Sequence, residues 1–264
     1  MTVVIPVWDA PYVEYLPRAV ASVHGQDPTV PIVVIDNASA VEVPELAGTT
    51  VVRSPRRLSA GAARNLGLQH IGTEYVIYLD ADDELADGAL ATLHDGIAAD
   101  PHLAAFVMSV IEADTGRRHR FPRRIAFALS RSPRLFALAT AIWSLYPTQG
   151  CAIVRSDWVR EAGGYADLIR GEDWILAVSL AFRGPVRLDR RPGRIYHRRN
   201  ESLLGGGLSI SDIRLAHRCI RDRLRQDPAV AGWARALLPL IACLQFLVTL
   251  IVPVYRAARV SPAS

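Results

Sequence analysis

The first hundred residues alternate between short runs rich in valine and isoleucine and longer stretches with helical periodicity. The short runs predict strands and the longer stretches predict helices. The predicted strands span residues 2–7, 31–36, 50–53 and 75–80, and the predicted helices span residues 13–24, 59–70 and 86–99. Strands that are apolar on both faces and alternate with helices are typical of a parallel sheet covered on each side. The predicted fold class is therefore α/β.

Polar residues follow directly after each predicted strand. Trp8 and Asp9 follow the first, Asp36 and Asn37 end the second, and a run of carboxylates begins at Asp80 after the fourth. Ligands of open parallel sheets bind beyond the carboxyl ends of the strands. We therefore expect the functional residues at these strand ends.

The remainder of the chain is predicted to add strands, helices and one basic segment. Strands are predicted at residues 103–112, 149–155, 186–188 and 194–197, and helices at residues 156–162, 171–182, 209–225 and 229–255. Segment 117–134 is basic and interrupted by proline, so we interpret it as irregular or loosely helical. A glycine triplet at residues 205–207 is either a hinge for a loop over a ligand or a linker.

Composition excludes several classes of protein. With 264 residues, 50% hydrophobic and 21% charged, the chain is typical of a globular protein with one large domain rather than a disordered or fibrous one. Its net charge is +4 and all 30 basic residues are arginine, which suits phosphate and anionic lipid. Nucleic acid is not favoured as a partner, because no helix-turn-helix, zinc-finger or RNP-type pattern accompanies the arginines.

Cysteine usage and the amino end predict an intracellular location. Cys151, Cys219 and Cys243 are far apart and odd in number, which fits neither a zinc knuckle nor a disulfide framework and favours a reducing cytosol. The chain passes from Met1 directly into a predicted strand without a basic leader. We therefore expect the folded body to stay inside the cell.

Four carboxylates fall within five residues, at Asp80, Asp82, Asp83 and Glu84. A like-charged pair at 4 Å costs about 1 kcal/mol in water and about 4 kcal/mol at an intermediate dielectric, so a hard cation such as Mg²⁺ or Mn²⁺ would relieve the repulsion. In an extended segment Asp80 and Asp82 would project to one side, about 7 Å apart, with room for a cation and a diphosphate. The alternative is a turn whose acids cap the following helix.

Four segments together resemble family 2 glycosyltransferases of the GT-A fold. The core of the resemblance is RSPRRLSAGAARNLGLQHIGTEYVIYLDADDEL, preceded by VVIPVWDAPYVEYLPRAVASVHGQDPTVPIVVIDNAS. A later segment, GCAIVRSDWVREAGGYADLIRGEDWILAVSLAFRG, is similar to the acceptor side of that family. The resemblance covers most of residues 2–184 and implies a GT-A (Rossmann-like) mixed, mainly parallel sheet flanked by helices, with an apolar helical extension at the carboxyl end.

The resemblance also implies a role for particular residues. The residues that would line the nucleoside pocket are Pro6, Val7, Trp8 and Asp9. Asp36 would accept a hydrogen bond from the base and Arg64 would lie near the nucleotide. Asp80 and Asp82 would form the DxD motif that serves ribose and metal, with His197 as a third metal ligand. Asp173 would be the general base, while Glu172 orients its surroundings.

Each of these roles has a structural alternative. Asp36 suits an imide N–H because a carboxylate only accepts, but it is equally typical of a turn. Arg64 would otherwise be an ion-pair partner, Asp173 a helix-capping acid kept ionised by the helix N-terminus, and His197 a solvated strand residue. Arg198 and Arg199 would bind a diphosphate or simply carry surface charge.

The carboxyl end predicts contact with a membrane surface. Residues 236–255 carry no formal charge and are long enough to cross about 30 Å of hydrocarbon, although Pro239 and Pro253 interrupt them. Spanning, lying in the membrane plane and burial in a dimer or core stay open. Segment 117–134 would add a basic and apolar surface against anionic lipid, or be a solvated loop.

Together these interpretations predict a metal-dependent, inverting glycosyltransferase that uses Mn²⁺ or Mg²⁺ and a nucleoside-diphosphate sugar, with a UDP-sugar favoured. Asn37 and Trp8 depart from the usual family pattern and leave the donor open, and no QxxRW element follows the segment beginning at Glu172. The acceptor would be a hydroxyl of a glycan, such as a lipid-linked glycan, at the cytoplasmic face of the membrane. The alternatives are a sugar nucleotidyltransferase and a non-catalytic, membrane-associated binder of sugar nucleotides.

The predicted domain organisation follows from the same resemblance. Residues 1–205 would form the catalytic domain, with a nucleotide-binding half at about 1–100 and an acceptor half at about 101–205. Residues 206–264 would form the helical extension.

Overall fold

A computed structural model describes residues 1–119, 121–198 and 208–260, with side chains described as far as residue 251. Within these residues eight strands form one sheet in the order β3-β2-β1-β4-β7-β6-β8-β5. The strands are β1 Thr2–Val7, β2 Ile32–Asp36, β3 Thr49–Arg53, β4 Tyr75–Tyr78, β5 Glu84–Leu85, β6 Ala105–Glu112, β7 Ala152–Arg155 and β8 Val186–Tyr196. Strands β5 and β7 run opposite to the other six, so the sheet is mixed and mainly parallel, as predicted.

The centre of the sheet is buried on both faces. All six residues of β1 are buried, although successive side chains of a strand point to opposite sides. β1 pairs in parallel with β2 and with β4, so the carboxyl ends of these three strands meet at one edge. We call this edge the carboxyl rim.

Ten helices surround the sheet in the described part of the chain. They are α1 Asp9–His24, α2 Ala60–Gln69, α3 Ala89–Ala98, α4 Arg124–Leu129, α5 Pro133–Ile142, α6 Ser156–Glu161, α7 Glu172–Arg183, α8 Ile210–Gln226, α9 Gly232–Ala236 and α10 Leu238–Val260. Helix α2 begins after Ser59, whose side chain accepts the Ala62 N–H, and α8 begins with a capping box between Ser209 and Asp212.

The structure differs from the sequence predictions in three details. Segment 117–134, which was expected to be irregular or loosely helical, contains α4 and the start of α5. The predicted strand pair after α7 is one strand, β8, whose register against β6 shifts between Val107 and Val110. The acidic run was not expected to contribute β5, which pairs with β8.

The carboxyl-terminal helices pack against α5 and α7. Helix α8 contacts α7, and α10 contacts both α8 and α5. No helix among the described residues is both long enough and apolar enough to span a bilayer. The glycine triplet at residues 205–207, Arg199 and the predicted domain boundary after residue 205 lie outside the described residues.

Candidate active site

Asp36 lies at the end of β2, buried at the carboxyl rim beside Val7 of β1. Its Oδ1 accepts the Ser39 backbone N–H at 2.8 Å, and its Oδ2 pairs with the Arg53 guanidinium. The structure therefore fixes this carboxylate where β1 and β2 end, which is where the nucleoside pocket was predicted. A carboxylate has about four lone-pair sites, so acceptor capacity remains for a base N–H.

Trp8 and Asp9 form the adjoining part of the predicted pocket. The Asp9 carboxylate pairs with Arg57 at 2.9 Å, and the same guanidinium lies 5.5 Å from the centre of the Trp8 ring. Asp9 and Ala38 have φ of 57° and 53°, a left-handed backbone that non-glycine residues seldom adopt. Such conformations collect at ligand-binding loops, because the surrounding structure must impose them. Pro6 and Val7 lie within β1 as predicted.

The acidic run forms a turn rather than an extended segment. The Asp83 N–H donates to the Asp80 carbonyl at 3.0 Å, so the expectation that Asp80 and Asp82 project together from an extended chain was wrong. The acids do not cap the next helix either, since α3 begins after Gly88 without a side-chain cap. The turn separates the four carboxylates into different environments.

Two buried arginines neutralise Asp80. Arg64 Nη2 lies 2.7 Å from Asp80 Oδ1, and Arg194 Nη2 lies 3.3 Å from Asp80 Oδ2. Burial opposes ionisation of Asp80, but the two guanidiniums outweigh it and hold the pKa of this carboxyl below its usual value. The charge repulsion that suggested a cation is therefore reduced by the protein itself.

Asp83 and Glu84 have structural partners. Asp83 is 1% exposed, contacts Arg194 and accepts the His197 backbone N–H at 3.1 Å. Burial together with Asp80 and Asp82 raises the pKa of Asp83 to about 7. Glu84 forms an ion pair with Arg18, whose Nε lies 3.1 Å from Glu84 Oε1. Both acids thus join the acidic turn to β8 and α1.

His197 lies at the end of β8, half-buried against the acidic turn. Its Nε2 is 2.6 Å from Glu84 Oε1, so in this arrangement the ring contacts Glu84. In the described part of the chain no group of three or more His, Cys, Asp and Glu side chains is arranged to hold a metal ion. The role of His197 as a third metal ligand stays a prediction.

The donor set at the turn nevertheless fits a hard cation. Mg²⁺ is usually bound by one or two carboxylates together with substrate phosphates, rather than by a complete cage of protein ligands. Asp82 is half-buried and follows Asp80 by two residues, so the two carboxylates supply oxygen ligands of the right kind. Both Asp80 oxygens already accept from arginine, so Asp80 would bind a cation in addition to these contacts or in place of one of them.

Glu172 and Asp173 begin helix α7, directly after Gly171 with φ of 85°. Arg64 joins the acidic turn to the start of α7. Its Nη1 lies 3.1 Å from Glu172 Oε1, and its Nη2 lies 2.7 Å from Asp80 Oδ1. This close approach depends on Gly61 of α2, where a Cβ would lie 3.2 Å from Glu172 Cγ and 2.7 Å from the Ala166 carbonyl. Asp80 and Glu172 are 92 residues apart in the chain. Both contact the guanidinium of Arg64.

Both acids at the start of α7 are harder to ionise than the sequence suggested. Burial and the neighbouring Asp173 raise the pKa of Glu172 to about 7. Burial also raises the pKa of Asp173, although its Oδ1 accepts the Trp174 N–H at 2.8 Å and Arg64 lies nearby. The helix N-terminus and Arg64 favour the ionised form of Asp173, but the effect of burial on its pKa is larger.

The sequence did not indicate three side chains that complete the site. Arg194 lay inside a predicted strand with no motif around it, yet it is 7% exposed and holds both Asp80 and Asp83. The Tyr165 ring lies 5.2 Å from the Arg64 guanidinium, and Asn65 exchanges two hydrogen bonds with the Tyr165 backbone, at 2.8 and 2.9 Å. Of the three, only Asn65 lies next to a residue that the sequence analysis named, Arg64.

Solved structures of S. aureus TarS share this fold. TarS 1-349 in complex with UDP-GlcNAc has a TM-score of 0.70 at 15% identity, covering 93% of this chain and 72% of that chain. The complex with UDP has a TM-score of 0.61 at 14% identity, covering 86% and 67%. For the longer S. aureus TarS the values are 0.60 and 15%, covering 86% of this chain and 40% of that chain. The fold class is therefore that of the GT-A proteins.

The family follows from the sequence. Residues 2–163, more than half of the chain, match the model described as Glycosyl transferase family 2. The chain belongs to glycosyl transferase family 2 and is a glycosyltransferase. No curated protein sequence matches it.

Proposed function

We propose that this glycosyltransferase transfers a sugar from a UDP-sugar to an acceptor hydroxyl with inversion at the anomeric carbon. The observation that carries the proposal is the Arg64 bridge, which joins Asp80 at the carboxyl rim to Glu172 at the start of α7. A donor at the rim would lie beside the acids that face the acceptor. The complexes of S. aureus TarS with UDP-GlcNAc and UDP support a uridine nucleotide as donor.

The nucleoside would bind at the ends of β1 and β2. The Asp36 carboxylate would accept the imide N–H of uracil, since Ser39 and Arg53 hold it in place. Trp8 offers a ring face beside this position, and the Asp9 N–H is tied to the Ser39 hydroxyl at 3.2 Å. Donor discrimination therefore depends on a carboxylate that is oriented before the nucleotide arrives.

The diphosphate would bind beside the acidic turn. Asp82, with Asp80, would hold Mn²⁺ or Mg²⁺, which when bound neutralises charge on the departing diphosphate. Arg64 and Arg194 keep Asp80 ionised and oriented whether or not a nucleotide is present. The rim thus provides preorganised charges where negative charge develops during transfer.

Asp173 would act as the general base. It takes the proton of the acceptor hydroxyl while the acceptor oxygen bonds to the anomeric carbon and the bond from that carbon to the diphosphate oxygen breaks. A base is most effective when its pKa approaches the working pH, and burial raises the pKa of Asp173 in that direction. Glu172, held by Arg64, would position the start of α7.

The acceptor would be a hydroxyl of a lipid-linked glycan, reached from the cytoplasmic face of a membrane. The support is the exposed apolar surface of α10, where Phe246 and Ile251 are 59% and 62% exposed. Large exposed apolar side chains in a group mark an interaction surface.

A donor screen tests the proposal. Purified protein is incubated with UDP-, GDP- and dTDP-sugars and Mn²⁺ or Mg²⁺, and release of nucleoside diphosphate is measured. We expect turnover of a UDP-sugar, and we expect Asp173→Asn to lower the rate by about 10² to 10⁴ while UDP binding is retained. Asp114→Asn, an exposed acid outside the site, is the control and should leave the rate unchanged.

Two outcomes would contradict this function. If folded protein turns over none of these donors, the donor assignment fails. If Asp173→Asn is as active as the unmodified protein, Asp173 is not the base. Nucleotide binding without any turnover would instead support the non-catalytic alternative.

A further inference from the structure

Helix α10 turns a side with both polar and apolar residues towards the protein and an apolar side towards the outside. The residues that it buries recur every three or four positions and include two polar ones: Leu238, Ile241, Gln245 and Thr249. Gln245 is 1% exposed, donates to the Ala141 carbonyl at 2.8 Å and accepts from Arg221. Gln245 therefore links α10 to α5 and α8, whereas the buried Thr249 hydroxyl donates to the Phe246 carbonyl of α10 itself.

The opposite face of α10 presents large apolar side chains to the outside. Five of them are between 44% and 62% exposed: Leu240, Phe246, Leu247, Leu250 and Ile251. Burying such a side chain fully stabilises a protein by about 1.5–3 kcal/mol, so a continuous group of five is unfavourable in water. We call this group the apolar face of α10.

An arginine-lined groove borders the apolar face. It lies between α8 and α10, has a volume of about 340 Å³ and contains Arg214, Arg218 and Arg221, with Phe246 at its edge. The three arginines follow the i, i+4, i+7 spacing that places residues on one side of a helix. We call the groove that these three residues line the arginine groove.

Among the described residues, no acid neutralises the charges of the arginine groove. Among the residues that the structure describes, neither Arg214 nor Arg218 forms a salt bridge, and Arg221 bonds to the neutral amide of Gln245. Three guanidiniums beside an apolar face match the two chemical layers of a bilayer surface, with phosphates outside and hydrocarbon below. A second copy docking through the same face would bring a second set of these arginines to the interface and no acids to pair with them, which is unfavourable.

We propose that the arginine groove and the apolar face of α10 bind the surface of an anionic phospholipid bilayer. The apolar face enters the boundary between headgroups and acyl chains, and the guanidiniums of α8 contact lipid phosphates. Binding at this surface would hold the cleft near a lipid-linked acceptor, and only that consequence rests on the proposed function.

Vesicle co-sedimentation tests this inference. The full chain is mixed with vesicles of phosphatidylcholine alone or of phosphatidylcholine with phosphatidylglycerol, and the bound fraction is measured. We expect binding to the anionic vesicles that weakens at high salt. Each arginine near an anionic surface contributes about 1 kcal/mol, so Arg214→Gln with Arg218→Gln should weaken binding about 30-fold.

Matched variants separate this site from general charge attraction. Arg187→Gln with Arg191→Gln removes the same charge from exposed positions outside α8 and α10, and should change binding less than about threefold. Phe246→Gln with Leu250→Gln should abolish binding while circular dichroism stays unchanged, because both side chains are exposed.

Several results would overturn the inference. These are absence of binding to anionic vesicles, equal loss in both arginine pairs, or binding that survives Phe246→Gln with Leu250→Gln. A dimer in sedimentation equilibrium that this last variant dissociates would assign the apolar face to a second copy instead. Turnover of a UDP-sugar without vesicle binding would refute this inference alone, and vesicle binding without turnover would refute only the proposed function.

Discussion

The carboxyl rim and the arginine groove both contain several charged side chains, but they differ in whether these charges are paired with opposite ones. At the rim, buried arginines lie against buried acids, as Arg194 does against Asp80 and Asp83. In the groove, Arg214 and Arg218 have no acidic partner among the described residues, and apolar side chains lie beside them. A region whose charges cancel internally is ordered before any ligand binds, whereas a region whose charges do not cancel is suited to an external partner.

The same difference predicts that changes in the two regions affect stability and binding differently. Breaking a buried ion pair leaves an uncompensated charge in a low dielectric, which costs far more than losing an exposed charge. Variants that break a buried ion pair at the rim should therefore change folding, and variants at the groove should change only association.

The largest expected difference is between Arg194→Met and Arg218→Met. Arg194→Met leaves Asp83 buried and unpaired, so we expect the free energy of unfolding to fall by about 3–5 kcal/mol. Arg218 is exposed, and its replacement should change that free energy by less than about 0.5 kcal/mol. Urea unfolding measures both, and equal effects would remove the distinction between rim and groove.

A smaller difference is expected between the two faces of α10. Ile241 is 1% exposed and Leu250 is 50% exposed. Ile241→Ala should lower the free energy of unfolding by about 2–4 kcal/mol, because it leaves a cavity against α5 and α8. Leu250→Ala should change it by less than about 0.5 kcal/mol. If thermal unfolding shows that Leu250→Ala costs as much as Ile241→Ala, the apolar face is covered by the protein itself.

The smallest expected effect is on the pH dependence of stability. Burial and Asp173 raise the pKa of Glu172 to about 7, so the folded protein holds a proton that the unfolded chain releases at lower pH. The free energy of unfolding should therefore fall as pH rises from about 5 to 7. Glu172→Gln should make that fall shallower by on the order of 1 kcal/mol, measured by urea unfolding across this range. Identical pH profiles for the two proteins would contradict the raised pKa.

Most of the sheet could be predicted from the sequence because its strands are buried on both faces. Such strands read as unbroken apolar runs, and β1 and β2 were placed to within one residue. The sequence did not show in the same way which face of α10 lies against the protein. An apolar run of 20 residues shows no amphipathic pattern that identifies its outer face, and only packing of Gln245 and Thr249 against the protein determines it.

The candidate site was predictable where a motif marked it. Asp36, Asp80 and the pair Glu172 and Asp173 were recognised, and the structure places all of them on the side of the sheet where its strands end. The local geometry was not predictable, because a turn at Asp80 to Asp83 and an extended segment share the same residues. Arg194 reaches the acids from a strand 114 residues away in sequence from Asp80, and no short-range pattern contains such a contact.

Calorimetric titration with UDP, with and without Mn²⁺, tests most directly whether the carboxylates at the rim bind a nucleotide together with a cation. We expect Mn²⁺ to strengthen UDP binding to the unmodified protein. Asp82→Ala should remove this increase in UDP affinity without unfolding the chain. Equal UDP affinity with and without Mn²⁺, or a full increase retained in Asp82→Ala, would contradict this expectation.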